Sequence, residues 1–197
     1  VPVVVVDHCL IEEVVGFNFH RGVLACGRRP ALKCLTSACF PVNHRETWVG
    51  LIGVQDPENV GGILRSAAGL GIHRILIGAG TADPLSRRAL RVSMGNVLAL
   101  ELYESRDLQK DLTLLKALGI QSIATCLESD SESLAKANRN GPLMILVGNE
   151  KHGLPTDILR QAERRVRIDM SPGTDSLNVS VAAAIAMYHF VQFASST

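Results

Sequence analysis

Three short segments of this sequence combine polar side chains with glycine or proline, which is the composition of turns that present chemical groups. They read QDPENVGGILR at 55–65, VGNEKHGLP at 147–155 and IDMSPGTDSLNVS at 168–180. Their amides, carboxylates and one arginine could bind a polar ligand or a phosphate. Taken alone, each has a plainer interpretation: Asn59 would cap a helix, Glu150 would lie in a turn and Arg65 would be a solvated helix residue.

The glycines of the chain argue against two common nucleotide sites. The turn after the first predicted strand reads GVQDPENVGG and lacks the G-x-G-x-x-G fingerprint of dinucleotide enzymes. GAG at 78–80 lacks the third glycine of that fingerprint, and the sequence contains no Walker-type lysine loop. The three polar segments therefore do not belong to a Rossmann or P-loop phosphate site.

The elements that must position these segments are strands and helices that alternate from Trp48 onward. Short apolar runs predict strands at 48–54, 74–80, 97–103, 120–127, 143–149 and 164–170. Apolar residues at helical spacing predict helices at 59–71, 83–93, 107–118, 155–163 and 177–193, the last capped by Ser176. This alternation predicts an α/β domain with a mostly parallel sheet and helices on both faces. Ligands bind at the carboxyl ends of such strands, where Gly148, Asn149 and Glu150 would project.

Composition places the chain among globular intracellular proteins. Of its 197 residues, 47% are hydrophobic and 20% are charged, and no run approaches the roughly 18 apolar residues of a membrane span. Five cysteines without a disulfide spacing favour a reducing compartment, so we expect a cytoplasmic protein. Cys34, Cys39 and His44 match no strong zinc-ligand spacing, and no metal is expected.

A basic stretch separates the N-terminal residues from the α/β domain. Between positions 21 and 45 the chain carries no acidic residue but has Arg21, Arg28, Arg29, Lys33 and Arg45. This stretch would hold a polyanion or serve only as a solvated connector. Its linker-like composition places a domain boundary near Thr47 and predicts two parts, 1–47 and 48–197. Because the chain opens on a valine and not on methionine, we expect further residues before it.

The three polar segments, in this order and at this spacing, resemble the SpoU/TrmH family of SPOUT-class methyltransferases, which transfer a methyl group from S-adenosylmethionine to a ribose 2′-hydroxyl of RNA. The resemblance runs from Trp48 to about Phe193. FHRGVLACGRRP at 19–30 further resembles the tail of the small RNA-binding domain that precedes the catalytic domain in many members. The resemblance implies a C-terminal trefoil knot that holds the cofactor, and a homodimer. The alanines of the last predicted helix would pack against the knot or the second subunit: Ala182, Ala183, Ala184 and Ala186.

The resemblance assigns catalytic positions to Asn59, Arg65, Glu150, Asn178 and Ser180. A guanidinium has a pKa above about 12 and is almost never deprotonated. We therefore expect Arg65 to bind the adjacent phosphate and to stabilise charge on the ribose oxygen, not to act as a base. Glu150 would orient Asn178 or the substrate. The reaction calls for no metal, because it gains chiefly from alignment of the oxygen with the methyl group.

Four further residues match the cofactor positions of the family: Gly148, Ile168, Met170 and Leu177. Gly148 would contact S-adenosylmethionine through its backbone, so Gly148→Val should weaken cofactor binding while leaving the helix content of the protein unchanged. Without the resemblance, Ile168 and Leu177 would be ordinary core residues. Ribosomal and transfer RNA both remain possible substrates, and the N-terminal domain tail favours ribosomal RNA. The alternative is a non-catalytic RNA-binding relative, which would normally have lost Arg65 or the motif asparagines.

Overall fold

The computed structural model describes residues 2–16, 18–19, 22–36 and 43–192. Contacts within the chain divide it into two compact units, Val1–Ala31 and Leu32–Thr197. The described part of the first unit contains one helix, α1 (His8–Val15), which ends at Gly16 in the left-handed conformation that favours glycine. In the described ranges, no helix combines the length and the hydropathy needed to cross a membrane.

The second unit is built on a sheet in which all neighbouring strands run parallel. Its described strands are β1 (Lys33–Cys34), β2 (Thr47–Leu51), β3 (Arg74–Ile77), β4 (Glu101–Glu104), β5 (Gln121–Thr125), β6 (Glu132–Ser133), β7 (Leu143–Val147) and β8 (Arg164–Arg167). They lie in the order β1-β4-β3-β2-β7-β5-β8-β6. The parallel sheet predicted from the alternating pattern is therefore confirmed.

Helices cover both faces of this sheet, as predicted. They are α2 (Pro57–Gly69), α3 (Arg87–Val92), α4 (Leu108–Ala117), α5 (Thr156–Gln161) and α6 (Val179–Gln192). Buried residues of α2, α3 and α6 form one core cluster with the sheet, and buried residues of α4 and α5 form a second. Strand β2 contributes to both, because Val49 and Leu51 face the first cluster whereas Trp48 faces the second. Each such fully buried side chain contributes about 1.5–3 kcal/mol of transfer free energy.

The strand order brings two of the three polar segments together. Strand β2 pairs with β7 along its whole length, from Thr47 opposite Leu143 to Leu51 opposite Val147. Segment 55–65 follows β2, and segment 147–155 begins at the end of β7. Because both strands point the same way, the two segments leave the sheet at the same carboxyl edge. On one side of this strand pair the sheet continues from β2 to β3, and on the other side it continues from β7 to β5. α/β sheets bind ligands at the carboxyl edge between two such strands.

The boundary between the two units differs from the prediction. Lys33 and Cys34, which lie in the stretch predicted as a linker, pair with Tyr103 and Glu104 as an edge strand. The neighbouring Leu32 and Leu35 pack against the two core clusters. The division therefore falls after Ala31 and not near Thr47. A two-residue strand is too short to produce a recognisable sequence pattern.

Several helix ends also differ from the prediction. Helix α2 begins at Pro57, because the Asp56 side chain accepts a hydrogen bond from the Glu58 N–H and proline suits the first turn. Helix α3 begins after Ser86, and the predicted start, Asp83, instead closes a turn onto Leu85. The third predicted strand begins only at Glu101, because residues 96–99 form a helical turn. The predicted last residue of α6, Phe193, lies outside the described residues.

Candidate active site

The Glu150 side chain fastens the loop after β7 to the start of α2. Its carboxylate accepts hydrogen bonds from the N–H groups of Gln55 and Asp56, at 3.2 and 3.1 Å, and from Asn59 Nδ2 at 3.0 Å. Partial burial raises the pKa of this carboxyl group, but the hydrogen bonds from Asn59 and the backbone outweigh burial and hold the pKa below its ordinary value. Glu150 is thus an ionised acceptor and is poorly suited to act as a base.

Asn59 does not cap a helix, contrary to the simplest interpretation of the sequence. Asp56 occupies the capping position, so Asn59 lies inside the first turn of α2, where it is buried. Its amide nitrogen donates to Glu150 and its amide oxygen accepts from Asn178 Nδ2 at 3.0 Å. Asn59, in the first polar segment, therefore links Glu150 of the second segment to Asn178 of the third.

Asn178 caps α6, the role that the sequence had suggested for Ser176. Its Oδ1 accepts from the N–H of Ser180 at 2.8 Å, and also from the Ser180 hydroxyl at 2.6 Å. Because α6 begins at Val179, Ser176 lies too far ahead of the helix to serve its first turn. Glu150, Asn59, Asn178 and Ser180 consequently form one continuous hydrogen-bonded chain, which we call the polar chain.

The loop from Gly148 to Leu154 is a compact turn held by Asn149. Asn149 Nδ2 donates to the carbonyl of Gly53 at 2.8 Å, and its backbone exchanges two hydrogen bonds with Gly153. A Cβ atom at Gly148 would lie 2.3 Å from the carbonyl carbon of Gly153 and 2.4 Å from the nitrogen of Leu154. A side chain at Gly148 would therefore collide with the backbone of its own loop, so it would change the loop as well as the cavity beside it.

A cavity of about 530 Å³ lies beside this loop. Its volume falls within the roughly 300–1,000 Å³ of small-molecule sites. Apolar side chains of Ile168, Met170 and Leu177 form one wall, and the loop that contains Gly148 and Glu150 forms another. An apolar wall next to turn backbone and carboxylates fits an adenine ring joined to a cationic sulfonium and amine. The cavity thus fits S-adenosylmethionine, and all four residues expected at the cofactor line it.

A second cavity of about 550 Å³ is a groove between α2 and α6. Arg65 lines it with Gly62, Ser180, Val181 and Tyr188. The Arg65 side chain is exposed and makes no hydrogen bond or ion pair to the other described residues. Gly62 allows the two helices to approach, since a Cβ atom there would be 3.3 Å from the Ser180 Cβ. The groove thus contains a guanidinium that has no partner among the described residues, and it also contains Ser180, the last residue of the polar chain.

The first cavity and the groove come together at the start of α6. Val179, Ala182 and Ala186 line the first cavity, whereas Ser180 and Ala184 line the groove. These sets lie on different faces of the helix, but Val179 and Ser180 are consecutive residues. Molecules bound in the two spaces would therefore lie on adjacent faces of the first turn of α6. The alanines of α6 thus have different surroundings. Ala182 and Ala186 line the first cavity and Ala184 lines the groove, whereas Ala183 and Ala186 are also fully buried in the core.

The nine predicted site residues thus fall into three groups. Gly148, Glu150, Ile168, Met170 and Leu177 line the first cavity, Arg65 and Ser180 line the groove, and Asn59 and Asn178 connect the two through the polar chain.

Sequence reasoning missed one wall of the first cavity, at the end of β5. Thr125, Cys126, Leu127 and Glu128 line it there. Arg165 of β8 forms ion pairs with Glu128 and, at 3.0 Å, with Asp130, so it fastens this loop to the sheet. The available signal was positional: strand 120–127 was predicted correctly, and its end shares the carboxyl edge with the end of β7.

The described residues contain no group of three or more histidine, cysteine, aspartate or glutamate side chains that could hold a metal ion. Cys39, which the sequence had suggested together with Cys34 and His44, lies outside the described ranges.

Comparison with known sequences places this site in a family. The profile of the SpoU rRNA Methylase family matches residues 46–188, which include all three polar segments. An uncharacterized tRNA/rRNA methyltransferase of Mycobacterium bovis is 40% identical over 183 residues, which cover 91% of this chain and 62% of that protein. The 23S rRNA (guanosine-2′-O-)-methyltransferase RlmB of Acinetobacter baylyi is 31% identical, over 90% of this chain and 73% of that protein. The chain thus spans less than two thirds of the mycobacterial relative.

Solved structures agree with the fold. The AdoMet-bound rRNA methyltransferase from Sinorhizobium meliloti superposes with a TM-score of 0.73 at 31% identity, over 78% of this chain and 58% of that one. An RNA 2′-O ribose methyltransferase superposes with a TM-score of 0.70 at 30% identity, over 80% of this chain and 60% of that one.

Proposed function

This chain belongs to the SpoU rRNA Methylase family, and we propose that it transfers a methyl group from S-adenosylmethionine to a ribose 2′-hydroxyl of RNA. One observation carries the proposal. The polar chain joins all three polar segments, and it runs from the cavity that fits the cofactor to the groove that holds Arg65. The residues that would bind a methyl donor and those that would bind its acceptor are thereby fixed relative to each other.

In this proposal the first cavity holds the cofactor. Ile168, Met170 and Leu177 would enclose the adenine, and the backbone at Gly148 would contact the bound molecule. When bound, S-adenosylmethionine supplies a methyl group already activated by its positive sulfur. The chain's own contribution is then to align the ribose oxygen with that methyl group and to exclude competing water.

Arg65 would bind the RNA in the groove. Its guanidinium has no hydrogen-bond or ion-pair partner among the described residues. It can therefore form charge-assisted hydrogen bonds to a backbone phosphate and stabilise negative charge that develops on the ribose oxygen. We do not assign Arg65 the role of proton acceptor, because its side chain is exposed and a guanidinium is almost never deprotonated in proteins.

Ribosomal RNA is the substrate that we favour over transfer RNA. The RlmB relatives and the RlmP relative of Bacillus subtilis carry names that specify 23S rRNA. We further propose that the first unit, which ends at Ala31, is the tail of a substrate-binding domain, and that Arg28 in this unit and Arg45 before β2 contact RNA phosphates; Arg21 lies outside the described residues. A cytoplasmic location accords with such a substrate.

We also propose a homodimer that forms through α6. Val181, Ile185 and Tyr188 stand on one face of this helix and are 47%, 40% and 58% exposed, a run of apolar side chains typical of an interface. These three residues also line the groove, so in this assembly the second subunit would border the RNA site. Ile185→Glu should then convert a dimer into a monomer in light scattering. An unchanged mass, or a monomeric wild type, would contradict this assembly.

A trefoil knot in the C-terminal segment is proposed from the resemblance. Two observations support it. Residues within 166–177 line the same cavity as the loop after β7, and α6, which follows them, packs against α2.

The test of the proposed function is transfer of tritium from methyl-labelled S-adenosylmethionine to ribosomal RNA. The RNA is extracted from cells that lack the gene, so that its target site is unmethylated. The wild type should transfer label, and heat-denatured protein serves as the control. Cofactor and RNA binding without transfer would instead identify a non-catalytic RNA-binding relative.

A further inference from the structure

The hydrogen bonds of the polar chain have a fixed donor-to-acceptor direction, which we call the direction of the polar chain. At one end, the Glu150 carboxylate can only accept hydrogen bonds, so Asn59 must turn its NH₂ group toward it. At the other end, the backbone N–H of Ser180 can only donate, so Asn178 must turn its oxygen toward Ser180. The central bond, from Asn178 Nδ2 to Asn59 Oδ1, satisfies both requirements at once. The two ends thus fix the orientation of both amides independently.

This direction requires the Ser180 hydroxyl to donate its hydrogen to Asn178. Ser180 Oγ lies 2.6 Å from Asn178 Oδ1, an oxygen that has no hydrogen to give, so Ser180 is the donor. Toward the groove, Ser180 can then offer only lone pairs. Arg65, on the same groove, offers only donors. A ligand that suits both carries a hydroxyl hydrogen close to an anionic group, which is the arrangement of a ribose hydroxyl and a phosphate in an RNA backbone.

We propose that Ser180 Oγ accepts a hydrogen bond from the ribose 2′-hydroxyl that is to be methylated, and that Glu150 is a positioning residue that maintains the direction of the polar chain. This inference rests on the proposed function. Val179, the neighbour of Ser180, lines the cofactor cavity, so a hydroxyl held by Ser180 lies on the same helical turn as the wall of that cavity. With its hydrogen held by Ser180, the hydroxyl can turn an oxygen lone pair toward the methyl group. As the new C–O bond forms, the C–S bond breaks, its electron pair leaves on the sulfur, and the proton of the methylated oxygen passes to solvent.

Conservative variants separate positioning by Glu150 from proton abstraction by Glu150. In Glu150→Gln, the amide oxygen can take the place of Oε1, which accepts from both Asn59 and the Asp56 N–H. The direction of the polar chain then survives, and only the bond from Gln55 is lost. In Glu150→Ala, nothing holds the Asn59 amide in its orientation. A general base would be lost equally in both variants.

The experiment measures kcat for tritium transfer to ribosomal RNA from cells lacking the gene, and the cofactor Kd by calorimetry. Ser180→Ala retains the backbone bond to Asn178 and should lower kcat about tenfold or more, the worth of one hydrogen bond to the reacting group, without changing the cofactor Kd. Glu150→Ala should lower kcat comparably, and Glu150→Gln should restore most of the rate. The double variant Glu150→Ala/Ser180→Ala should be no slower than the slower single variant. Thr113→Ala, which removes an exposed hydroxyl of α4, is the control.

Two outcomes would overturn the inference while leaving the proposed function intact. One is a Ser180→Ala enzyme with the wild-type kcat. The other is a Glu150→Gln enzyme as slow as Glu150→Ala, which would mean that the carboxylate itself takes a proton. If the wild type transfers no methyl group at all, the proposed function fails and this inference fails with it.

Discussion

Asn59 and Glu150, 91 positions apart in the chain, are joined by a hydrogen bond of 3.0 Å between Asn59 Nδ2 and Glu150 Oε1. The bond ties the first turn of α2 to the loop after β7. Because Asn59 also accepts from Asn178, a change in Glu150 reaches the cap of α6 through a single intermediate side chain. The three segments that carry the proposed chemistry therefore behave as one unit.

The contribution of Glu150 to folding should depend on pH. Its pKa is lowered in the folded protein, because the hydrogen bonds from Asn59 and the backbone outweigh the effect of burial. A carboxyl group of this kind contributes stability above its unfolded pKa, about 4.3, and loses that contribution as the pH falls through the folded value. In urea unfolding, Glu150→Gln should be less stable than the wild type at pH 7, and the difference should shrink at pH values below about 4. A difference that grows in acid would contradict this assignment, and Glu13→Gln, on exposed α1, is the control.

Arg65→Ala should abolish methyl transfer while leaving the cofactor in place. The side chain lines the groove and not the first cavity, so its removal should affect RNA binding and the stabilisation of charge on the ribose oxygen, but not cofactor binding. We expect turnover to fall about 100-fold or more, the size of effect seen when a charge-stabilising donor is removed. The cofactor Kd, measured by calorimetry, should stay within about twofold, since every residue that lines the cofactor cavity is unchanged. Arg160→Ala, an exposed arginine of α5, serves as the matched control. Weakened cofactor binding in a folded Arg65→Ala protein would refute the division between cavity and groove.

Gly148→Ala should destabilise the protein before any ligand is considered. The added methyl group would lie 2.3 Å from the backbone of Gly153, and backbone cannot move aside as a side chain can. Overpacking of this kind costs about 1–3 kcal/mol of unfolding free energy. Gly69→Ala is the matched control, because a Cβ atom there meets nothing within 4 Å and alanine is the better helix former. Equal stability of the two variants would show that the loop adjusts to a side chain at this position, and would contradict the prediction.

The sequence predicted the sheet better than the site. The apolar run 143–147 is typical of a strand buried on both faces of a parallel sheet, and the structure has β7 there, two residues shorter than the predicted 143–149. Asn59 was misplaced because Asp56 and Pro57 make an equally good helix start, and local patterns do not choose between them. The partner of Asn178 could not be predicted, since it lies 119 positions away and depends on how β2 and β7 pair. The direction of the polar chain likewise follows only from three-dimensional contacts.

A protein that starts at Leu32 should separate RNA binding from cofactor binding. It keeps β1, whose Lys33 and Cys34 complete the sheet, and removes Arg28 and Arg29 with the rest of the first unit. We expect unchanged cofactor affinity but weaker RNA binding, with a log–log salt slope flatter by about 0.7–0.9 for each RNA phosphate that the shorter protein no longer neutralises. The comparison is RNA affinity of both proteins across a salt series. Equal slopes would show that these arginines are a solvated connector and that the catalytic unit holds RNA by itself.

The chemical position of the transferred methyl group tests the central claim most directly. A 2′-O-methyl group removes the hydroxyl that alkali needs to cleave the adjacent phosphodiester. After tritium transfer to ribosomal RNA and alkaline hydrolysis, the label should therefore appear in alkali-resistant dinucleotides. Recovery of the label in mononucleotides would show methylation of a base and would contradict the ribose 2′-hydroxyl as the acceptor.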